Sequence, residues 1–159
     1  MFHISKQTTQ LQSDEPDNFE IAYSVDNSDP EIMVQAKELY NKHTTHHFFA
    51  GDESTVEIFN ALKEIALQND HEYFGILELH PDYEAVLAML KLLVDAVPEL
   101  PEKPAHNAIQ WMEDMHPNCW MAWKNATFYL SGGETLISHF EQYLLKRNVS
   151  KKQIRIIKL

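Results

Sequence analysis

The chain has 159 residues, 44% hydrophobic and 23% charged, enough for one domain that buries a core without a disulfide or metal staple. Its single cysteine, Cys119, excludes an internal disulfide, and the longest apolar stretch, 85–97, is broken by Lys91 and Asp95 before the roughly 20 apolar residues of a membrane span are reached. A net charge of −11, from 13 bases and 24 acids, argues against general binding to nucleic acid or anionic lipid, where affinity comes from neutralising phosphates. The first residues show no basic end followed by an apolar stretch, so no secretory signal is read and the expected address is the cytoplasm.

In chain order, residues 1–31 form an acidic arm, with seven acids against the one base Lys6. Only 19–25 (FEIAYSV) alternates enough to predict a strand. Asp29-Pro30 is a helix-start signal, followed by Ile32, Ala36, Leu39 and Tyr40 at helical spacing. From residue 46 the pattern settles into strand-then-helix units. A strand is predicted at 46–50 (HHFFA), and an amphipathic helix at 54–67 carries Ile58, Phe59, Leu62 and Ile65 on one face. A second strand at 73–79 (YFGILEL) precedes a helix that starts at Pro81 and carries Val86, Met89, Leu90, Leu93 and Val97.

Residues 98–118 hold four of the seven prolines and read as a long connection over the sheet, with one short helix near 109–115. A third strand at 127–131 (TFYLS), a helix at 134–147 and a closing strand at 153–159 complete the chain. Short apolar strands separated by amphipathic helices predict an α/β fold: a Rossmann-like three-layer sandwich on a four- or five-stranded parallel sheet, spanning 32–159. Residues 146–159 carry six bases and no acid, which suits an ordinary basic helix end or, alternatively, a local anion or docking surface.

In such a sheet ligands bind beyond the carboxyl ends of the strands. Two turns stand out there: Gly51-Asp52-Glu53-Ser54-Thr55 and Gly132-Gly133-Glu134. Each offers a glycine for a sharp turn and the free N–H groups of a helix start, suited to the phosphates of a dinucleotide. Equally, any strand-to-helix turn needs a glycine and a cap, and no GxGxxG fingerprint is present.

Three segments resemble the C-terminal, nicotinamide-binding domain of siderophore-interacting proteins, the flavin-dependent ferric-siderophore reductases of the ferredoxin reductase superfamily. They are FFAGDESTVEIFNALKEI (48–65), YFGILELHPDYE (73–84) and YLSGGETLISHFEQYLLKRNVSKKQIRI (129–156), and the likeness spans about residues 45–159. The resemblance implies binding of NAD(P)H in the context of iron acquisition. Gly51, Asp52, Glu53, Ser54 and Thr55 would line the nicotinamide or pyrophosphate end, with Gly132, Gly133 and Glu134 as the second turn. Glu78, leaving the second strand, would meet the adenosine ribose, which leans towards NADH over NADPH.

The family's flavin barrel carries an Arg-x-Tyr-[Thr/Ser] motif; the only arginines here, Arg147 and Arg155, are not in that setting. FAD is therefore not expected within this chain, and a partner protein would hold the flavin. No side chain needs to act as acid or base, because the cofactors carry the hydride chemistry. The competing expectation is a non-catalytic relic or adaptor of the same fold, acting through protein contacts.

The nine histidines do not predict a metal centre. His46 and His47 are adjacent on a strand and point to opposite faces, while His80 near Asp82 and His116 near Asp114 read as surface groups. Cys119 reads as an inert buried thiol, and Trp111, Trp120 and Trp123 as core packing or a partner surface.

Overall fold

A computed structural model describes residues 4–7, 20–23 and 29–158 of the chain. Its centre is a five-stranded, all-parallel sheet flanked by helices, a Rossmann-like three-layer sandwich. In the arm, β1 (Ile4–Gln7) and β2 (Glu20–Tyr23) pair antiparallel, Ile4 opposite Tyr23. The strand expected at 19–25 corresponds to β2; its outer residues and the rest of the arm lie outside the described residues.

Helix α1 (Pro30–Leu39) starts as the sequence signals, with the Asp29 carboxylate accepting the Glu31 N–H and proline in the first turn. Then come β3 (His46–Asp52), α2 (Val56–Gln68), β4 (Glu72–Leu79), α3 (Glu84–Leu90) and β5 (Asp95–Pro98). The second half holds α4 (His106–Glu113), α5 (Pro117–Trp123), β6 (Thr127–Ser131), α6 (Glu134–Lys146) and β7 (Ile154–Ile157). The strand order is β5-β4-β3-β6-β7, so the chain winds outward one way from β3 and then the other, and the order reverses between β3 and β6.

Both faces of the central strands are buried, which is why β3, β4 and β6 read as near-continuous apolar runs. On one face Phe49, Leu77, Leu79, Tyr129 and Ile157 pack under α1, α2 and α3. On the other Phe48, Ala50, Ile76, Phe128 and Leu130 pack under α4, α5 and α6. Each fully buried Phe or Leu contributes roughly 1.5–3 kcal/mol. Two such layers on one sheet hold the two turns at a common rim.

The structure departs from the sequence reading in two places. The helix expected to run through Leu93 and Val97 stops at Leu90, where Lys91 takes a left-handed conformation (φ 55°), and Asp95–Pro98 becomes the edge strand β5. The buried Lys63 ammonium donates to the Leu90 carbonyl at 2.7 Å and meets Glu64 at 3.0 Å, satisfying that helix end. A further helix, α5, starts at the end of the 98–118 connection and runs beyond it, with His116 Nδ1 accepting the Asn118 N–H and proline at its first turn. Trp111, Trp120 and Trp123 lie half-buried against the second core face, and Cys119 is only half-buried on α5. Among the described residues no helix is long and apolar enough to cross a membrane.

Candidate functional site

The two glycine turns lie at one rim of the sheet, on the strands between which the order reverses. The close fit begins at Gly51, where a Cβ would lie 2.7 Å from both the Ser131 carbonyl oxygen and Thr55 Oγ1, so β3 and β6 approach more closely than a side chain allows. Asp52 then ties the turns together. Its Oδ1 accepts the Ser54 N–H at 3.0 Å and the Ser54 hydroxyl at 2.6 Å, while Oδ2 accepts the Gly133 N–H at 3.0 Å. Thr55 is buried and donates back to the Asp52 carbonyl. Gly132 has a φ of +118°, and a Cβ there would meet Asp52 Oδ2 at 2.6 Å; Gly133 faces open space, with Asp52 Oδ2 the nearest atom at 3.9 Å.

Beside these turns is a cavity of about 210 Å³, with Asp52, Glu78, Glu99 and Glu134 in its wall beside Leu100 and Pro104. Its ionisable lining groups are all carboxylates. The Glu99 carboxyl is held above its usual range, first by partial desolvation and then by the Glu53 carboxyl facing it. Pro104 and Thr135 also border a second groove of about 410 Å³ between α4 and α6, which carries Glu102 and Lys103 together with His106 and His139.

Glu78 does not do what was expected of it. It is 2% exposed, and its two oxygens accept the N–H groups of Ala105 at 3.0 Å and Ala108 at 2.9 Å, capping α4 from across the fold. An acid at the end of a strand can meet a ribose or a helix N-terminus, and here the helix start claims it. Gly51, Asp52, Glu53, Ser54, Thr55, Gly132, Gly133 and Glu134 are brought together at one rim.

At the opposite rim is a polar cluster that the sequence reading missed. His47 is fully buried, with Nδ1 2.9 Å from Tyr129 Oη and Nε2 3.1 Å from His71 Nδ1. Burial, helped by His71, pushes the His47 imidazole down to about 4, so it stays neutral. Its neighbour His46 faces the other side of the sheet, against Trp123 and Glu72, as strand alternation requires. The one available signal was the alternation itself, which sends His47 towards the face where Phe49 packs.

No family model, curated protein or solved structure matches this chain. Its chemistry has to be argued from the two rims themselves.

Proposed function

We propose that the crevice between β3 and β6 receives a nicotinamide nucleotide, and that the chain is a nicotinamide-binding component that delivers hydride to a flavin held by a partner protein. The observation carrying this reading is the meeting of Gly51-Asp52 and Gly132-Gly133 at the point where the strand order reverses, the place where open parallel sheets take their ligands. The resemblance of 48–65, 73–84 and 129–156 to siderophore-interacting proteins supports the same reading, in which the hydride would serve ferric-siderophore reduction.

Charge sorts the ligand's parts. A cavity of about 210 Å³ is smaller than the usual 300–1,000 Å³ ligand pocket and takes a ring rather than a whole dinucleotide. Its carboxylates repel a pyrophosphate and favour the nicotinamide end, whose ring becomes cationic as hydride leaves. The adjoining groove, where Lys103 stands beside Glu102, His106 and His139, would then meet the phosphates. The bound nucleotide supplies the hydride. Asp52 and the open face at Gly133 position the ring, and no side chain of this chain transfers a proton. Glu78, engaged by the Ala105 and Ala108 N–H groups, no longer carries a preference for NADH over NADPH.

The second reading, an adaptor of the same fold, is favoured by the Asp52 carboxylate already holding the Gly133 N–H that a ligand would use. Calorimetric titration of the purified chain with NADH and NADPH separates them. Saturable heat with NADH, weakened by Lys103→Ala and by added salt, is expected. No heat and no melting shift at millimolar concentrations of either nucleotide would leave the adaptor as the reading that stands.

A further inference from the structure

Three donor atoms from three elements meet at the rim opposite the crevice. Tyr40 follows the last turn of α1, His47 is the second residue of β3, and His71 immediately precedes β4. His47 Nε2 lies 3.1 Å and Tyr40 Oη 2.5 Å from the same atom, His71 Nδ1. A ring nitrogen carries either one proton or one lone pair, so Nδ1 can make one good hydrogen bond, and two partners claim it. The rings are held in place. Tyr40 stacks on His47 with centroids 4.3 Å apart, and His47 and His71 lie 21° from parallel at 5.2 Å. Tyr129 Oη accepts the Asn41 N–H at 3.0 Å and fixes the far nitrogen of His47.

We infer that His47 Nε2 and His71 Nδ1, with Tyr40 Oη beside them, form a binding site for a divalent transition-metal ion of the zinc class. One ion between the two imidazoles satisfies both lone pairs and relieves the competition for Nδ1. Ligand atoms bound tetrahedrally at about 2.0–2.1 Å stand about 3.3 Å apart, so the two imidazoles need to open by a few tenths of an ångström and the 2.5 Å contact of Tyr40 Oη with His71 Nδ1 by about 0.8 Å. The contact from Tyr129 is the outer bond that orients a ligating histidine. Among the described residues no three His, Cys, Asp or Glu side chains converge, and here the third protein donor is a phenol. Hard oxygen-seeking ions such as Mg²⁺ do not suit two imidazoles. His71 is only half-buried, which leaves a path for the ion and a position for water.

The test uses the full chain stripped with a chelator, titrated with Zn²⁺ by calorimetry and with Co²⁺ as a visible-absorption probe. One equivalent of Zn²⁺ is expected to bind and raise the melting temperature, while Mg²⁺ does neither. His71→Ala should weaken Zn²⁺ binding by at least about tenfold and Tyr129→Phe by about 10–100-fold, the range for outer-contact changes at metal sites. Tyr40→Phe keeps the stacked ring and should change the Co²⁺ spectrum, a readout that a purely structural hydroxyl would not move. His46→Ala and His80→Ala, on other surfaces, should leave binding as it is. Wild-type affinity in both His71→Ala and Tyr40→Phe, or loss of binding in His80→Ala, would overturn the site and assign any uptake to exposed histidines.

Discussion

At the carboxyl rim of the sheet, Asp52 and Glu78 direct carboxylate oxygens at backbone N–H groups of Ser54, Gly133, Ala105 and Ala108. At the amino rim, buried His47 and Tyr129 answer one another with neutral rings and hydroxyls. The difference follows from parallel topology. Each βα unit starts its helix at the carboxyl rim, where unpaired N–H groups and the positive dipole end favour acids. The amino rim receives helix ends, among them α1 closing at Tyr40, and anions gain nothing there. One fold thus yields an acidic, partly open rim and one lined by imidazole and phenol groups, and the two call for different ligands.

The largest test of this contrast is Glu78. Glu78→Ala strands two buried N–H groups that had a charged acceptor, each such bond being worth about 1.5–3 kcal/mol, so a loss of roughly 3–6 kcal/mol is expected in denaturant unfolding. Glu78→Gln should cost less, because one carbonyl oxygen remains. A loss below about 1 kcal/mol for the alanine variant would mean that the carboxylate is free for a ligand after all.

The amino rim answers to pH. The His47 imidazole sits near 4 in the fold against about 6.5 in the unfolded chain, because burial, His71, His46 and Arg155 all oppose its charge. The unfolded chain therefore takes up a proton that the fold refuses. Stability that is full above about pH 6.5 should fall by roughly 3 kcal/mol by pH 4. His47→Gln, which keeps a polar side chain that cannot titrate, should flatten that limb at some cost in stability at pH 7. An unchanged pH profile would place the acid sensitivity elsewhere.

How much of this was legible differs between the rims. The glycine turns announce themselves because sharp turns and caps use few residue types at fixed offsets, so Gly51-Asp52 and Gly132-Gly133 could be placed from sequence. Strand β5 could not. Leu93 and Val97 fall on the helical stripe of α3, and the break comes at Lys91, a non-glycine residue in a left-handed cap that sequence alone does not mark. The amino-rim cluster was hidden because its members are far apart in the chain: Tyr40, His47, His71 and Tyr129 become neighbours only through strand pairing and the docking of the end of α1. Glu78 was placed at the right strand end, but which N–H groups would arrive there depended on α4, whose docking no local pattern encodes.

Asp52 links stability to the proposed binding. Asp52→Ala removes the acceptor for Ser54 and Gly133 and should cost about 1–2 kcal/mol, the range of a lost helix cap. Asp52→Asn keeps an acceptor and should recover most of that. If the crevice holds the nicotinamide end, both variants should weaken NADH binding, with the alanine weaker still; unchanged affinity in both would move the nucleotide off this rim.

The smallest change is the most discriminating. Gly132 and Gly133 are neighbours, but they occupy their positions for different physical reasons. Gly132 needs its positive φ and would drive a Cβ into Asp52, so Gly132→Ala should destabilise by more than about 1 kcal/mol. Gly133 has an ordinary φ of −64° and open space where a Cβ would stand, so nothing in the fold requires a glycine. Gly133→Ala should be neutral to slightly stabilising, within about 0.5 kcal/mol, because it only restricts the unfolded chain. If that added methyl leaves melting unchanged yet lowers NADH affinity, the open space belongs to a ligand. If affinity also stays unchanged, the space belongs to solvent, and the acidic rim then has only its capping role and the adaptor reading to support it.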